Sequence, residues 1–425
     1  MQESVPPCRK STMSIGFRRN RALAAAIVGL ALVAAACGGD DDDADGTTAP
    51  AASAAPAASD APAATTADTA ATEETAGENT VADDTAAEGT APADDTATTA
   101  AADDEGSGEP VTLRLGYFPN VTHAPAIIGV DDGLFQDALG SNVTLDLKTF
   151  NSGTEVIEAL FSGGIDASFI GPNPAINGYA KSEGDALRIV AGTTSGGASL
   201  IVREGIDDPA QLEGLKLATP SLGNTQDVAL RAWLKDEGFT TDTSGGGDVT
   251  ILPQENADTL TTFQSGEIDG AWVPEPWATR LIDEGGGHVL VNEADLWPDG
   301  KFVTTHLIVS RSFLEEHPDT IRDLISGLGD AIDVANGDAA AAQTTVNDGI
   351  EAITTKRLGD TVISGAWENL EFTLDPIASS LQGSADDAIA VGLLEPVDLA
   401  DPGIYDLTLL NEVLAERGED AVTGL

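Results

Sequence analysis

Cysteine and basic side chains are scarce in this chain. Its 425 residues include two cysteines, Cys8 and Cys37, and both precede residue 110, where the strand and helix patterns begin. The region that can bury a core therefore has neither a disulfide nor a thiolate metal site, so packing must stabilise it. Only 20 Lys and Arg residues stand against 71 Asp and Glu, a formal net charge of −51. This balance excludes nucleic acid as a partner, because phosphates need clustered basic side chains.

Motifs of common enzymes and metal sites are also missing. The sequence contains no G-x-S-x-G, no H-E-x-x-H and no P-loop, and the four histidines show no metal-ligand spacing. We therefore expect no cofactor, no metal and no catalysis. Two alternative functions remain: an enzyme that has the fold predicted below, and a pure ligand sensor.

The N-terminal region has the order of segments that is typical of an export signal. Three arginines follow Met13, an apolar run covers residues 22–36, and Cys37 comes next. The run of 15 residues is shorter than the roughly 20 that a transmembrane helix needs. We predict a signal peptide over residues 1–36, with Met13 as the true start, and keep an uncleaved membrane anchor as the alternative.

Residues 33–37, VAAAC, resemble the bacterial lipoprotein signal, in which small residues precede a cysteine that is acylated. Ala34 departs from that pattern, which prefers Leu there. The resemblance implies that Cys37 becomes the lipid-bearing N-terminus and holds the protein on the membrane, since several acyl chains give stable anchoring.

The acidic stretch that follows differs sharply from the rest of the chain. Residues 38–109 are mostly Ala, Thr, Asp, Glu, Pro, Gly and Ser, with 19 acidic residues and no Lys or Arg. Low hydrophobicity and high charge predict disorder, and like charges extend the segment. We interpret residues 37–109 as a lipidated cysteine and its linker; metal binding by Asp40–Asp43 is the alternative.

From residue 110 the pattern becomes α/β. Short apolar strands are predicted at 111–118, 143–150, 165–171, 215–220, 249–254 and 268–276. Amphipathic helices are predicted from 124 onward and at 153–163, 174–182, 225–238 and 257–267. Segments 159–174 and 262–276 repeat one form: helix, small-residue turn, Ile-Asp, strand and Pro-rich loop. Two such series predict two α/β lobes with a ligand cleft at the carboxyl ends of their strands.

Several segments together resemble the nitrate/sulfonate/taurine family of ABC transporter substrate-binding proteins. They lie at 116–125, 158–178, 193–202, 208–234, 265–281 and 309–319, and the tail segments 366–381 and 403–414 are similar to the sulfonate-binding branch. The resemblance covers about residues 111–415. It implies a type II periplasmic-binding-protein fold over 110–425, with lobe I at about 110–198 plus 305–425 and lobe II at about 199–304. The lobes of such proteins close by hinge motion.

The resemblance also implies a function. The expected protein is an extracytoplasmic, lipid-anchored monomer that captures a small oxyanion, such as an aliphatic sulfonate, taurine or nitrate. It would deliver this ligand to an ABC permease and its ATPase. The alternative is a binding protein for a thiamine-precursor pyrimidine or another zwitterion, because a similar Trp/Glu/Pro loop occurs there.

Loops that precede helices supply the first candidate ligand contacts. Ser221, Gly223, Asn224 and Thr225 lie between a strand and a helix, where free backbone N–H groups and the helix dipole favour an anion. Asn224 or Thr225 could instead simply cap the helix. Gly171 and Asn173 follow another strand, beside two prolines that fix their loop.

The loop after the first strand supplies Phe118, Asn120 and His123. A protonated His123 would provide the one positive charge near the ligand. A structural histidine is the alternative.

The remaining candidates rest on the resemblance. It implies polar contacts from Thr193, Thr194 and Ser195, near the crossover between the lobes. The motif WVPEPW (272–277) adds Trp272 and Glu275. A Glu275 carboxylate that faced the cleft would disfavour a bare anion and suit a ligand with an amine.

Overall fold

The computed structural model describes residues 109–425. The predicted signal peptide, Cys37 and the linker up to residue 108 lie outside the described residues. Within 109–425, no helix combines the length and the apolar character needed to cross a bilayer.

Eleven strands and thirteen α-helices are described. The strands are β1 Val111–Tyr117, β2 Val143–Thr149, β3 Ala167–Ile170, β4 Leu187–Gly196, β5 Ala198–Val202, β6 Lys216–Thr219, β7 Thr250–Pro253, β8 Gly270–Pro274, β9 His288–Asn292, β10 Val303–Ser310 and β11 Leu370–Phe372. The helices are α1 Ala124–Asp131, α2 Leu134–Leu139, α3 Gly153–Phe161, α4 Pro172–Lys181, α5 Thr225–Asp236, α6 Asn256–Ser265, α7 Trp277–Asp283, α8 Arg311–Glu316, α9 Pro318–Gly337, α10 Ala339–Thr354, α11 Asp360–Glu368, α12 Ala378–Ala390 and α13 Thr408–Arg417.

The strands form two sheets. The first has the order β11-β4-β10-β3-β1-β2, and the second has the order β7-β6-β8-β5-β9. Strands β1, β2 and β3 are parallel, as are β6, β7 and β8. Strand β10 runs antiparallel between β3 and β4. The two-lobed α/β fold expected from the sequence is therefore confirmed.

The apolar pattern explains why these segments fold as they do. All four residues of β3 are buried, because β3 is a central strand of a mixed sheet whose two faces are both covered. Helix α3 instead buries one stripe, Val156, Ile157 and Leu160, and exposes its charged residues. The ends of the predicted strands and helices agree with the observed ones to within two residues where both ends were assigned.

The Ile-Asp repeat has the same structural role in both lobes. The Asp166 carboxylate accepts a hydrogen bond from the backbone N–H of Arg114 at 2.9 Å. The Asp269 carboxylate accepts one from the backbone N–H of Lys216, also at 2.9 Å. Each aspartate therefore ties the start of one parallel strand to its neighbour, which sets the register of both sheets at matching positions.

The chain passes from one lobe to the other at Gly197 and returns before Val303. Gly196 and Gly197 have φ angles of +80° and +73°, which side-chain-bearing residues rarely adopt. A Cβ atom on Gly197 would also lie 2.2 Å from the Leu370 side chain. Glycine is therefore required where β4 of the first sheet continues into β5 of the second.

Candidate ligand-binding cleft

The carboxyl ends of the parallel strands in both sheets meet at one small cavity of about 50 Å³. Loops and helix starts of both lobes line it. The lining residues are Phe118, Asn120, Thr122, His123, Asn151, Ser152, Gly153, Gly171, Pro174, Pro220, Asn224, Thr225, Gln226, Asn256, Pro274, Thr304 and Thr305. This is the position at which open α/β sheets bind ligands.

Four helices begin at this cavity. Helices α3 and α4 come from lobe I, and α5 and α6 come from lobe II. Each N-terminus contributes about half a positive charge from the helix dipole, and α3, α5 and α6 also carry free backbone N–H groups. Helix α4 offers fewer, because Pro172 and Pro174 in its first turn have no N–H. Their convergence gives a site that favours negative charge although none of the lining residues is Lys, Arg, Asp or Glu.

A buried aspartate fixes the loop in front of α5. The Asp227 carboxylate accepts hydrogen bonds from Thr219 Oγ1 at 2.8 Å, from the Gly223 N–H at 2.9 Å and from Arg231 Nε at 2.9 Å. The Asn224 side chain in turn accepts from the Asp227 N–H at 3.0 Å. The capping role considered for Asn224 is therefore observed, and the residue also lines the cavity.

His123 lines the cavity but does not bring the positive charge considered from the sequence. Burial of the ring lowers its pKa to about 3, so the imidazole is neutral at pH 7. Its Nδ1 accepts a hydrogen bond from the Phe118 N–H at 3.4 Å, and the two rings stack with centroids 4.4 Å apart. In the neutral ring the proton then sits on Nε2, which makes His123 a neutral hydrogen-bond donor.

The two lobes touch across the cleft. Trp277 Nε1 of lobe II donates to Asn120 Oδ1 of lobe I at 3.0 Å. A Cβ atom on Gly171 would lie 2.7 Å from Thr225 Oγ1, so the starts of α4 and α5 approach closely. The structure is therefore in a closed conformation, which accounts for the small size of the cavity.

Of the fourteen residues predicted from the sequence, six line the cavity: Phe118, Asn120, His123, Gly171, Asn224 and Thr225. Ser221 and Gly223 belong to the same loop as Asn224 but are not among the lining residues. Gly223 instead accepts a hydrogen bond at its carbonyl oxygen from the side chain of Asn177 in lobe I, at 3.3 Å. Asn173 donates to the Ser384 carbonyl oxygen on α12 at 3.1 Å, so its amide is engaged away from the cavity.

The three polar residues of β4 are buried in the first sheet and do not line the cavity. Thr194 Oγ1 donates to the Thr122 carbonyl oxygen at 2.8 Å, and Thr305 Oγ1 donates to the same oxygen at 3.0 Å. These bonds hold the turn that carries His123. Thr193 and Ser195 are also buried, at 0% and 2% exposure. In this closed structure β4 does not line the cavity but stabilises the turn that does.

Trp272 and Glu275 are likewise turned away from the cavity. Trp272 is fully buried and donates through Nε1 to Glu293 Oε2 at 2.7 Å. The Glu275 carboxylate accepts hydrogen bonds from Thr279 Oγ1 at 3.0 Å and from Asn369 Nδ2 at 2.7 Å. It therefore joins lobe II to lobe I and does not present a charge to a ligand, and burial raises its pKa.

Sequence reasoning missed several residues of the lining. Ser152 begins the motif S-x-x-E, a helix-start signal, and its side chain accepts from the Glu155 N–H at 3.4 Å. Asn256 begins α6 after β7, as Gly153 begins α3 after β2, and this matching position could have pointed to it. Asn256 Oδ1 is buried without a hydrogen-bond partner among the described residues. An unpaired buried polar atom costs about 1–3 kcal/mol, and Asn256 also lines the cavity.

Known proteins resemble this chain in sequence and in fold. The model of the NMT1-like family matches residues 106–347. This chain belongs to the NMT1-like family. The taurine-binding periplasmic protein of Escherichia coli K12 is 27% identical over 221 residues, which are 52% of this chain and 65% of that protein. A putative aliphatic sulfonates-binding protein of Bacillus subtilis is 24% identical over 72% of this chain and 89% of its own length.

The fold comparison agrees with this family assignment. The alkanesulfonate-binding protein of Xanthomonas axonopodis pv. citri, solved with bound MOPS, superposes with a TM-score of 0.59 at 20% identity. The match covers 70% of this chain and 98% of that structure. The expected periplasmic-binding-protein fold and the resemblance to sulfonate- and taurine-binding proteins are therefore confirmed for this member of the NMT1-like family.

Proposed function

We propose that this protein is the extracytoplasmic substrate-binding component of an ABC importer and captures a small oxyanion by closing its lobes. The observation that carries the proposal is the convergence of four helix N-termini on a cavity without charged side chains. Aliphatic sulfonates, taurine and nitrate are the ligands we propose. The names of the relatives support this class, as they bind taurine and sulfonates.

A cavity without charged side chains can still bind an oxyanion, because hydrogen-bond donors act at short range. Residues 110–425 hold 51 Asp and Glu against 15 Lys and Arg, so the surface repels anions at long range. At physiological salt this repulsion is screened beyond about 8 Å. Backbone N–H groups, the His123 Nε2–H and hydroxyl groups act at shorter range, so local hydrogen bonds can hold the oxyanion.

The alternative ligand is a zwitterion or an aminopyrimidine that brings its own N–H donor. Asn256 Oδ1 favours it, because this acceptor has no partner among the described residues and an amine would satisfy it. Taurine offers both an oxyanion and an N–H donor, since it has a sulfonate at one end and an amine at the other. A role as an enzyme is not proposed, because the reported relatives are named as binding proteins.

We propose that Cys37 carries the lipid and that the acidic linker spaces the folded domain from the membrane. The domain would act as a monomer beside its permease and ATPase. Mass spectrometry of the purified N-terminus tests this directly, and we expect acylated Cys37 as the first residue. A Cys37→Ala variant should move from the membrane fraction to the soluble fraction; an unmodified Cys37 would refute the anchor.

A thermal-shift panel on the full-length protein tests the ligand class. It contains methanesulfonate, taurine, nitrate, bicarbonate and an aminopyrimidine, with chloride at the same ionic strength as the control. A ligand at a hundred times its Kd should stabilise the fold by about 2.7 kcal/mol. Stabilisation by the aminopyrimidine alone would refute the oxyanion proposal in favour of the alternative.

A further inference from the structure

Helix α12 belongs to lobe I and packs against α5 of lobe II. It is fixed in lobe I, because Leu381 and Ala385 are buried in an apolar core that α3 and α4 share. Its Ser384 carbonyl oxygen also accepts the hydrogen bond from Asn173. None of the residues of α12 lines the central cavity. The helix therefore moves with lobe I but does not belong to the site where a ligand would bind.

The first contact of α12 with lobe II is an aromatic ring that packs on the helix backbone. A Cβ atom on Gly383 would lie 2.7 Å and 2.9 Å from two atoms of the Trp297 ring, so a glycine is needed beneath the ring. Trp297 also stacks on the buried Phe302, with ring centroids 5.9 Å apart. Because Phe302 holds the ring in lobe II, a larger residue at position 383 would push lobe II away from α12.

The second contact lies about 10 Å further along the helix, at its C-terminal end. Lys235 Nζ of α5 donates to the Ala390 carbonyl oxygen at 2.6 Å. The last carbonyl oxygens of a helix have no partners within the helix and carry partial negative charge, so an ammonium group suits them. Two like charges on the same pair of helices, Asp236 and Asp387, oppose the contact. The two helices are therefore held together but can separate.

We propose that α12 is a strap that holds the two lobes closed from outside the ligand-binding site. The inference rests on the proposed function, in which the lobes close on a ligand. Since no contact of the strap reaches the cavity, it stabilises the closed conformation equally for every ligand. Loss of the strap should therefore speed the release of a ligand and leave its capture by the open protein unchanged.

Gly383→Ala in the full-length protein separates this role from a purely structural one. Alanine is a better helix former than glycine, so the melting temperature of the unliganded variant should stay the same or rise. The new Cβ atom displaces the Trp297 ring, so calorimetry should show at least a fivefold loss of affinity for taurine and for methanesulfonate, by the same factor within twofold. Stopped-flow fluorescence should assign the loss to faster dissociation. The control is Gly337→Ala, at the end of α9 with no atom near its Cβ position, which should bind as the wild type does.

Lys235→Met tests the other end of the strap and should weaken both ligands about threefold. Its control is Lys216→Met, which removes the same charge from an exposed position of lobe II and should leave affinity unchanged. Wild-type affinity in both Gly383→Ala and Lys235→Met would overturn the strap, as would a lower melting temperature of unliganded Gly383→Ala. Failure of the wild type to bind taurine, methanesulfonate and nitrate would instead overturn the proposed function together with the strap, so the two failures are distinguishable.

Discussion

Neutral His123 makes a measurable prediction about stability and pH. Burial lowers its pKa from 6.5 to about 3, so between these values the unfolded chain binds a proton that the folded protein does not. The contribution of His123 to stability is therefore fully present above pH 6.5 and is lost as the pH falls toward 3. By linkage the loss at pH 5 is about 2 kcal/mol.

The assay compares the wild type with His123→Asn, whose amide does not titrate in this range. At pH 7 the variant should be the less stable protein, because it loses the packing of the ring on Phe118. At pH 5 the difference in free energy of unfolding, measured by urea denaturation, should shrink by about 2 kcal/mol. The other titrating groups, among them His306 and Glu293, are common to both proteins and cancel in the difference. A difference that stays constant between pH 7 and pH 5 would refute the argument.

The neutral state of His123 also predicts how the affinity for the ligand depends on pH. A sulfonate keeps its charge over the whole range, so its affinity should change less than about threefold between pH 8 and pH 5.5, since the donor at His123 stays neutral. A protonated His123 would instead strengthen binding as the pH falls through 6.5. Such a rise, seen in the wild type and absent from His123→Asn, would restore the charged role considered from the sequence.

Three substitutions separate the parts of the site. Gly171→Ala places a Cβ atom 2.7 Å from Thr225 Oγ1 in the closed form, which should cost about 1–3 kcal/mol and weaken ligand binding by about five- to 150-fold in calorimetry, with little change in the melting temperature. Trp277→Phe removes one hydrogen bond across the cleft, so affinity should fall about fivefold, corresponding to about 1 kcal/mol; an unchanged affinity would contradict closure of the lobes on the ligand. Trp272→Phe removes one donor to the buried Glu293 carboxyl group and should lower the free energy of unfolding by about 1–3 kcal/mol, whereas the affinity per folded molecule should stay the same.

The sequence predicted the βα series well because that information is local. The runs of apolar residues, the Pro and Gly loops and the Ile-Asp repeat all act within about fifteen residues of the chain. The repeat even placed Asp166 and Asp269 at matching positions, where each now accepts a neighbouring backbone N–H group. Helix starts after parallel strands must lie at one sheet edge, so Gly171 and Asn224 were predictable as lining residues.

Two of the residues that do not line the cavity have partners that lie far away in the sequence. Glu275 is engaged by Asn369, 94 positions later, and Asn173 by Ser384, 211 positions later. No local sequence pattern predicts such a distant hydrogen bond. A polar residue beside a predicted cleft has the same sequence context whether or not a distant residue binds its side chain. The charge of His123 was equally beyond the sequence, since it depends on how completely the fold removes water from the ring.

The place of β10 in the first sheet sets the order in which the chain can acquire its structure. This strand comes after the whole of lobe II in the chain, yet it is inserted between β3 and β4. Lobe II is continuous from β5 to β9 and can form its sheet as soon as its own residues emerge. The sheet of lobe I lacks a central strand until β10, which ends at residue 310, has been synthesised. The N-terminal half of that lobe therefore stays incomplete throughout most of synthesis.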